Sequence, residues 1–497
     1  MLYNEILKTH NDIINISQTL SLLNWDQSTY IPDNGHTSRS EQIETLSKIA
    51  HDMLISDAFY EKINKLIESL DFNNLEDIKK EEIERIKIDV KKARKIPTKI
   101  ASELAKTTSI AMAKWQKAKK ENNDKEYLPY LKKIVELKKE IAGLVSYEEN
   151  PYDALLDDYE RGLKYSYIKP VFMSLKNELK IIIAEINNSN QKIDDIFFNN
   201  EYDTKRQWDF GISILKKMGI DFNSFRQDTS VHPFTTTLGI GDVRITTDIS
   251  KNNFKKGLFS TIHEGGHALY ELGVAAKFQR SPFAQIDSLS LHESQSRFFE
   301  NIICRSYEFW SVHYKELQKL FYDNLQNIPL DIFYKAINKV EKTPIRIESD
   351  EVTYNLHIIL RTELENAIMN NEIDISSINE TWNEKSKEIF GYYPESKSEG
   401  YLQDIHWSDG LMGYFPTYTM GNLVSAQFYN AMQKDIGKLD IIDDETFKRI
   451  HKWLDDKLYT LGSKYTSVEV IKMISKEELN PDYFTNYLKE KFFDLYS

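Results

Sequence analysis

Apolar residues recur every three or four positions along most of this chain, which is the spacing of an amphipathic α-helix. Residues 75–96, "LEDIKKEEIERIKIDVKKARKI", show the pattern clearly, with charged residues at the intervening positions. Only 18 Gly and 12 Pro interrupt the 497 residues. The sequence therefore predicts a mainly α-helical protein whose charged helix faces are solvated surface rather than binding patches.

One segment departs from the helical pattern and predicts β-strands. Residues 230–250, "SVHPFTTTLGIGDVRITTDIS", are rich in β-branched residues and alternate between apolar and polar positions in "DVRITTDI". Gly239 and Gly241 supply the turn, so we predict an antiparallel hairpin here. A short sheet of this kind offers an edge at which an extended peptide can pair.

The chain lacks the features that usually separate domains. It contains no internal repeat and no linker rich in Pro, Gly or Ser, so we predict a single domain over residues 1–497. Within it we expect an N-terminal helical part over about residues 1–225 and a catalytic part over about residues 226–497.

Charge and cysteine content narrow the functional classes. Lys and Arg number 64 against 77 Asp and Glu, a net charge of -13, which argues against nucleic acid or an anionic membrane as a partner. Cys304 is the single cysteine, so no disulfide forms within the chain. The N-terminal residues lack an uninterrupted apolar signal region, and no stretch of about 20 apolar residues follows. We expect a cytoplasmic protein.

A metal-binding pattern lies in "FSTIHEGGHALYELG", residues 259–273. His263 and His267 stand at i and i+4, so on a helix both imidazoles project from one face and can hold one ion. Glu264 lies between them and points around the helix, where it can take a proton from water that the ion activates. The pattern indicates a metal-dependent hydrolase, although two histidines on an amphipathic helix can also be packing residues.

A catalytic zinc needs three protein ligands and one open position. Tyr270 and Gly273 stand where a metzincin would have glycine and histidine, so that class is excluded. The segment "LSLHESQSRFFENII" supplies Glu293, 26 positions after His267 (293 - 267). By itself Glu293 could equally be a surface carboxylate paired with Arg297 at i+4. We interpret the neighbouring His292 as a packed or supporting group.

Two glycines in the same helix call for a reason, because each costs about 1 kcal/mol relative to alanine in a helix interior. We expect Gly265 and Gly266 to leave room for substrate or for the hairpin to approach the helix backbone closely.

With these segments identified, the sequence resembles the carboxypeptidase Taq family of metallocarboxypeptidases. The family's short signatures occur in order along most of the chain. One position departs from them: Ser349 stands where alanine is usual. The matching segments are His232-Pro233-Phe234; Asp242, Arg244 and Thr246; His292 to Gln295; Ile345 to Asp350; and Gly400, Gln403, Asp404, His406 and Trp407, with "PYDALLDDYERG" at Pro151 to Gly162.

The resemblance implies a mainly α, elongated fold like that of neurolysin and angiotensin-converting enzyme. It implies a deep groove covered by the N-terminal part, and one small antiparallel sheet near the metal. Family members remove C-terminal amino acids from peptides with broad preference and are commonly homodimers. The implied cofactor is one divalent ion per subunit, with zinc first and cobalt or manganese as alternatives, held by His263, His267 and Glu293.

Further residues are candidates for stabilising the oxyanion of the reaction. His406 and Tyr418 are our candidates, since their spacing of 12 positions (418 - 406) is similar to that in neurolysin-like enzymes. Tyr414 is the alternative to Tyr418, and either tyrosine could instead be a core residue.

A carboxypeptidase also needs a cation for the substrate's terminal carboxylate, and a guanidinium binds it bidentately. Arg346 is the first candidate and Arg244 the second, with a structural ion pair to Asp350 or Asp242 as the alternative for each. His232 and Gln403, which lie in family signatures, complete the predicted substrate-binding set.

Two other functions remain open at this point. An oligopeptidase or dipeptidase on the same scaffold would cut different bonds of a peptide. A helical peptide-binding protein with an inert metal site would not need Glu264, because binding alone requires no general base.

Overall fold

The computed structural model describes residues 2–497 and consists mainly of α-helices, as predicted. Among these residues no helix combines the length and the apolar character that crossing a bilayer requires. The α-helices are α1 Leu2–Thr29, α2 His36–Ile55, α3 Asp57–Ile67, α4 Leu70–Asn73, α5 Asp77–Arg94, α6 Thr98–Glu121, α7 Leu128–Val145, α8 Pro151–Leu156, α9 Tyr165–Asn188, α10 Thr204–Met218, α11 Phe254–Phe278, α12 Leu289–Arg297, α13 Tyr307–Leu320, α14 Tyr322–Leu325, α15 Leu330–Ile337, α16 Tyr354–Met369, α17 Ile378–Phe390, α18 Pro416–Ile436, α19 Asp444–Lys457, α20 Ser467–Ser475 and α21 Asp482–Leu495.

Shorter helical turns join these elements. A π-helical segment, Phe298–Ile303, continues directly from α12. Such segments are rare and frequently lie at functional sites. The 3-10 turns are Asp33–Gly35, Ile196–Asn199, Pro282–Ala284, Arg346–Glu348, Ile375–Ser377 and Tyr459–Leu461.

The predicted hairpin is confirmed, and a third strand joins it. Strands β1 Phe225–Thr229, β2 Thr235–Gly239 and β3 Asp242–Thr247 form a sheet in the order β1-β3-β2. β2 pairs with β3 antiparallel, but β1 pairs with β3 parallel, so the sheet is mixed and not antiparallel throughout as expected. The sequence "FRQDT" of β1 contains one β-branched residue, Thr229, so its composition gave no strand signal.

The buried apolar residues form two separate cores. The smaller one joins α1, α3 and α5, whose buried residues recur at helical spacing, as Ile83, Ile86 and Val90 do in α5. The larger one runs from Ala111 to Leu495 and includes the sheet. The contacts between α1 or α5 and the rest include polar ones, for example Arg85 Nη1 to Asp287 Oδ2 at 2.7 Å. The division of the chain near residue 225 stays a prediction.

Helix α11 lies against β3, α10 and α12, and Gly265 and Gly266 make two of these contacts possible. A Cβ atom at Gly266 would lie 2.5 Å from the Gln295 carbonyl oxygen, and one at Gly265 would lie 2.3 Å from Leu215 Cδ2. The expectation that substrate or the hairpin approaches these glycines is therefore wrong. They allow α12 and α10 to pack closely on α11.

We predict that Gly266→Ala destabilises the protein by about 1 to 3 kcal/mol, because the added methyl group meets the α12 backbone, which cannot rotate away. Urea unfolding followed by circular dichroism measures the change. Gly143→Ala is the control, since Gly143 lies in α7 with nothing within 4 Å of its added Cβ. That variant should be more stable by up to about 1 kcal/mol. Equal effects in the two variants would contradict the packing role.

Candidate metal centre

The three predicted ligands converge at the contact of α11 with α12. His263 Nε2 and His267 Nε2 lie 3.6 and 3.5 Å from Glu293 Oε2. Within residues 2–497 this is the one group of three His, Cys, Asp or Glu side chains whose ligand atoms all lie within 4.8 Å of one another. The i and i+4 spacing on α11 supplies two corners of the site, and α12 supplies the third.

Both imidazoles are oriented through their other nitrogen. His263 Nδ1 lies 2.9 Å from Glu300 Oε2, and His267 Nδ1 lies 2.9 Å from the backbone oxygen of His292. Both partners are acceptors, so each Nδ1 carries the proton and each Nε2 presents a lone pair towards Glu293. Glu300 belongs to the π-helical segment, which turns its carboxylate back towards α11.

Glu293 is not the surface carboxylate that the sequence left open. Its side chain is buried, and Arg297 Nε donates to Glu293 Oε1 at 2.7 Å. Although burial opposes it, Arg297 holds the pKa of Glu293 well below its usual range. The carboxylate therefore stays ionised, as a metal ligand must, and Oε2 is the oxygen that faces the histidines.

The donor set fits a divalent transition metal. Two neutral imidazoles and one carboxylate are a common ligand set of catalytic zinc. Ligands about 2.0 to 2.2 Å from a tetrahedral ion lie about 3.3 to 3.6 Å apart, which agrees with the separations of the two Nε2 atoms from Oε2. Burial lowers the pKa of His267 to about 3, whereas Glu293 and Glu300 raise the pKa of His263 against the effect of burial, so the acidic neighbours favour a positive charge beside His263.

Glu264 lies beside the edge of the sheet. Thr235 Oγ1, on β2, donates to Glu264 Oε2 at 2.6 Å. Burial raises the pKa of Glu264, and the bond from Thr235 opposes that rise. A carboxylate with a raised pKa is a stronger base than an exposed one, and the threonine fixes which way it points.

His292 supports the site without facing it. Its ring stacks on His267 with centroids 3.9 Å apart, and its Nε2 lies 2.8 Å from Glu271 Oε1. Thr237 of β2 donates to the other oxygen of Glu271. The interpretation of His292 as a supporting group agrees with these contacts. Strand β2 is thus tied to α11 at two places, Glu264 and Glu271.

His406 and Tyr418 lie together, as their predicted role requires. His406 Nε2 is 3.2 Å from the Tyr418 hydroxyl, and the Tyr414 ring lies 5.2 Å from the Tyr418 ring. Burial and then Arg346 lower the pKa of His406 to about 3, so the ring is neutral at ordinary pH.

Tyr418 and Tyr414 lie close to the third ligand. Burial and then the negative charge of Glu293 raise the pKa of Tyr414 to about 12, so the Tyr414 hydroxyl interacts electrostatically with the Glu293 carboxylate. Gly421, one turn after Tyr418 on α18, touches Glu293: a Cβ there would lie 2.5 Å from Glu293 Cγ. Helix α18 therefore carries Tyr418 to the metal centre.

Arg346 lies in a buried ion-pair network. Its Nε and Nη2 donate to Asp404 Oδ1 at 3.0 and 2.8 Å, and its Nη1 donates to the Tyr354 hydroxyl at 3.0 Å. Arg361 holds the other oxygen of Asp404. The alternative of a pair with Asp350 is wrong, because Asp350 accepts hydrogen bonds from nearby backbone amides. Two of the five N–H groups of Arg346 remain outside these bonds.

Two of the other predicted substrate-binding residues, Arg244 and His232, have different surroundings from Arg346. Arg244 forms two bonds of 2.9 Å to Asp242, its structural alternative, and its guanidinium faces the Trp25 ring at 4.4 Å. His232 is exposed on the loop that leads into β2.

Gln403 accepts from the Arg346 backbone N–H at 2.8 Å, and its amide donates to backbone oxygens of Pro344, Glu399 and Gly400. It therefore positions the loop of Arg346, and its amide group is occupied.

Some residues of the site were missed from the sequence. Glu300 stands seven positions after Glu293, two helical turns away, so helical spacing alone could have placed it on the same side as the ligand, as it placed Arg297 at i+4. Thr235 and Tyr354 gave no such signal, since they reach Glu264 and Arg346 only through the tertiary fold.

Comparison with known proteins shows one consistent likeness. The family described as carboxypeptidase Taq (M32) metallopeptidase matches residues 5–492. Thermostable carboxypeptidase 1 of Pyrococcus furiosus is 37% identical, over 98% of each chain, and carboxypeptidase 1 of Bacillus subtilis is 35% identical, over 97% of this chain and 96% of its own. The crystal structure of an M32 carboxypeptidase from Deinococcus radiodurans superposes with a TM-score of 0.95 at 30% identity, covering 100% of this chain and 99% of that one.

We predict that a chelator leaves the helical circular dichroism nearly unchanged, because a core of this size does not depend on one ion. Zinc at about 100 times its Kd should then raise the free energy of unfolding by about 2.7 kcal/mol. His267→Ala should show no such rise. Loss of most helical signal on chelation would show that the ion is required for folding.

Proposed function

The chain belongs to the carboxypeptidase Taq (M32) family of metallopeptidases and is a metal-dependent carboxypeptidase, and from this premise we propose which residues perform the reaction. His263, His267 and Glu293 bind the metal, and Glu264 is the general base. The main support for this assignment is that two Nε2 atoms and one carboxylate oxygen converge, and that Glu264 lies on α11 between the two histidines.

Glu264 takes a proton from the attacking water at its carboxylate. A divalent ion, when bound, lowers the pKa of its water towards about 7 and polarises the scissile carbonyl. Thr235 holds Glu264 Oε2 at 2.6 Å, so Oε1 is the oxygen free to accept the proton. The same carboxyl group can then deliver that proton to the leaving amine.

Tyr418 and His406 stabilise the oxyanion that forms at the scissile carbonyl. The neutral His406 donates its Nε2 proton to the Tyr418 oxygen, and the Tyr418 hydroxyl then donates its own proton to the oxyanion. A donor of this kind contributes about 3 kcal/mol in other hydrolases. Tyr414, whose ring contacts that of Tyr418, is the alternative donor.

Arg346 binds the C-terminal carboxylate of the peptide with its two remaining N–H groups. Asp404 and Gln403 hold the guanidinium and its backbone in place, which leaves little conformational freedom to lose on binding. Arg244 is the second candidate, and His232 is proposed as a further substrate-binding residue. A broad preference for the residue removed completes the proposal.

The finer properties of the protein rest on the ligand set and the family. Zinc is the proposed ion because two imidazoles and a carboxylate suit it, with cobalt and manganese as alternatives. A homodimer is proposed from the family resemblance. Cys304 is buried and free, which supports the proposal of a cytoplasmic location.

We predict that Glu264→Gln keeps stoichiometric metal but loses about a thousandfold in turnover, because glutamine cannot accept the proton. Metal content by mass spectrometry and kcat on a defined peptide measure the two effects. The control is Glu271→Gln, which changes a partly buried carboxylate on the same helix that also accepts from a β2 threonine. Its loss should be tenfold or less. Near-normal turnover of Glu264→Gln would remove Glu264 from the mechanism.

We predict that Arg346→Ala and C-terminal amidation of the substrate each lower kcat/KM by a factor of tens to thousands. Each removes one partner of a partly desolvated charge pair worth about 2 to 5 kcal/mol. The two losses should not add, because they remove the same contact. Arg346→Lys keeps a positive charge beside Asp404, so compared with Arg346→Ala it should regain stability more than it regains activity.

Two outcomes of this experiment count against the assignment of Arg346. If amidated peptides are cleaved as fast as free ones, binding of the terminal carboxylate by a side chain of the enzyme does not contribute to catalysis. If amidation slows cleavage but Arg346→Ala does not, Arg244 is the carboxylate-binding residue.

A further inference from the structure

The segment Asp157–Arg161, which follows α8, contains a buried carboxylate that the mechanism above does not use. Glu160 is 0% exposed, and its Oε2 accepts from the Ser290 backbone N–H at 2.9 Å. Glu160 also forms an isolated antiparallel bridge with Ser288. The bonds join residues about 130 positions apart, so they fix two distant parts of the chain to each other.

These contacts all fall on the first turn of α12. The first N–H groups of a helix have no partner inside the helix and must be satisfied from outside it. The N-cap Ser288 accepts from Leu291 N–H, the Tyr159 backbone oxygen accepts from Leu289 N–H at 3.0 Å, and Glu160 accepts from Ser290 N–H. Two of these three partners belong to the segment Asp157–Arg161.

Helix α12 carries Glu293 only three residues after Ser290. A shift of the first turn therefore moves the third ligand relative to His263 and His267, which are fixed on α11. Glu160 forms no salt bridge with a basic side chain among residues 2–497, and the adjacent Arg161 pairs instead with Asp287 at 2.8 Å. Burial raises the pKa of Glu160, and hydrogen bonds from Ser288, Ser467 and Ser290, two of which lie at the N-terminal end of α12, oppose that rise.

We propose that Glu160 is a positioning residue of the metal centre: it holds the first turn of α12 so that Glu293 meets the two histidines. This rests on the ligand set proposed above. It assigns a role to the signature "PYDALLDDYERG", whose function the sequence left open.

The rest of the segment supports the same role. The Tyr159 ring packs against Tyr414 with centroids 5.2 Å apart, and Lys92 of α5 bonds to Asp157 and Asp158. One short stretch thus contacts the third-ligand helix, a tyrosine of the proposed oxyanion site and the N-terminal helices.

The test measures metal affinity by competition with a chelator, together with the melting temperature of the metal-free protein. Glu160→Asp keeps the charge but withdraws the oxygen from Ser290 N–H, and it should bind zinc about 10 to 100 times more weakly. Glu160→Gln keeps an oxygen at the same reach and should stay within about threefold of the unchanged protein. Glu160→Ala should bind zinc as weakly as Glu160→Asp. If Glu160→Ala does not fold, the comparison of Glu160→Asp with Glu160→Gln still tests the proposal.

Asp443→Ala is the matched control. Asp443 accepts from an N-terminal N–H of α19, which carries none of the proposed site residues. It should lower the melting temperature and leave zinc affinity unchanged. If Glu160→Asp behaves like Asp443→Ala, Glu160 is merely structural and the proposal is overturned. Glu293→Ala, measured in parallel, must lose the metal; if it does not, the ligand set itself fails, whatever the Glu160 variants show.

Discussion

The contact between α11 and α12 at Gly266 is the constraint on which the metal centre depends. The two backbones approach so closely that a single methyl group on Gly266 would overlap the Gln295 carbonyl oxygen. At this distance the His292 backbone oxygen can accept from His267 Nδ1, and Glu293 can reach both Nε2 atoms. Because the site is built from two helices rather than one, α11 has glycine at this position and loses some helix stability.

A row of alternating charges, in which both carboxylates are buried, keeps this site ionised. Glu293, Arg297, Glu300 and Arg305 follow one another along α12 and the segment after it, and each bonds to the next. Removing Arg297 would leave the buried Glu293 without its guanidinium partner, which is far more costly than losing a surface ion pair. Asp404 with Arg346 and Arg361 repeats this arrangement beside Tyr418. In both networks the groups proposed to act on substrate or metal are held by charges that themselves do not react.

Local spacing explains which features could be predicted from the sequence. The hairpin, the helical pattern of α5 and the family resemblance all depend on residues a few positions apart, and each is confirmed. The two histidines lie together on α11 as their spacing predicts, and their role as metal ligands stays a prediction. Features that depend on distant partners were not accessible. Strand β1 exists because β3 pairs with it. Arg346 pairs with Asp404, 58 positions away, while the nearby Asp350 is occupied by backbone amides. Gly265 and Gly266 are explained by the close packing of α10 and α12 on α11. The segment "HEGGH" contains nothing that identifies these two helices as its neighbours.

The contact of Gly421 with Glu293 has a consequence for the order in which the site is completed during synthesis. The three ligands lie within residues 263–293, but α18, which packs on α12, begins only at Pro416. Chains emerge from the ribosome N-terminus first. The ligands therefore leave the ribosome well before the helix that covers one of them, and the finished geometry forms only once roughly the last sixth of the chain has been made. A truncated product that still contains every ligand would lack the wall that holds Glu293 in place.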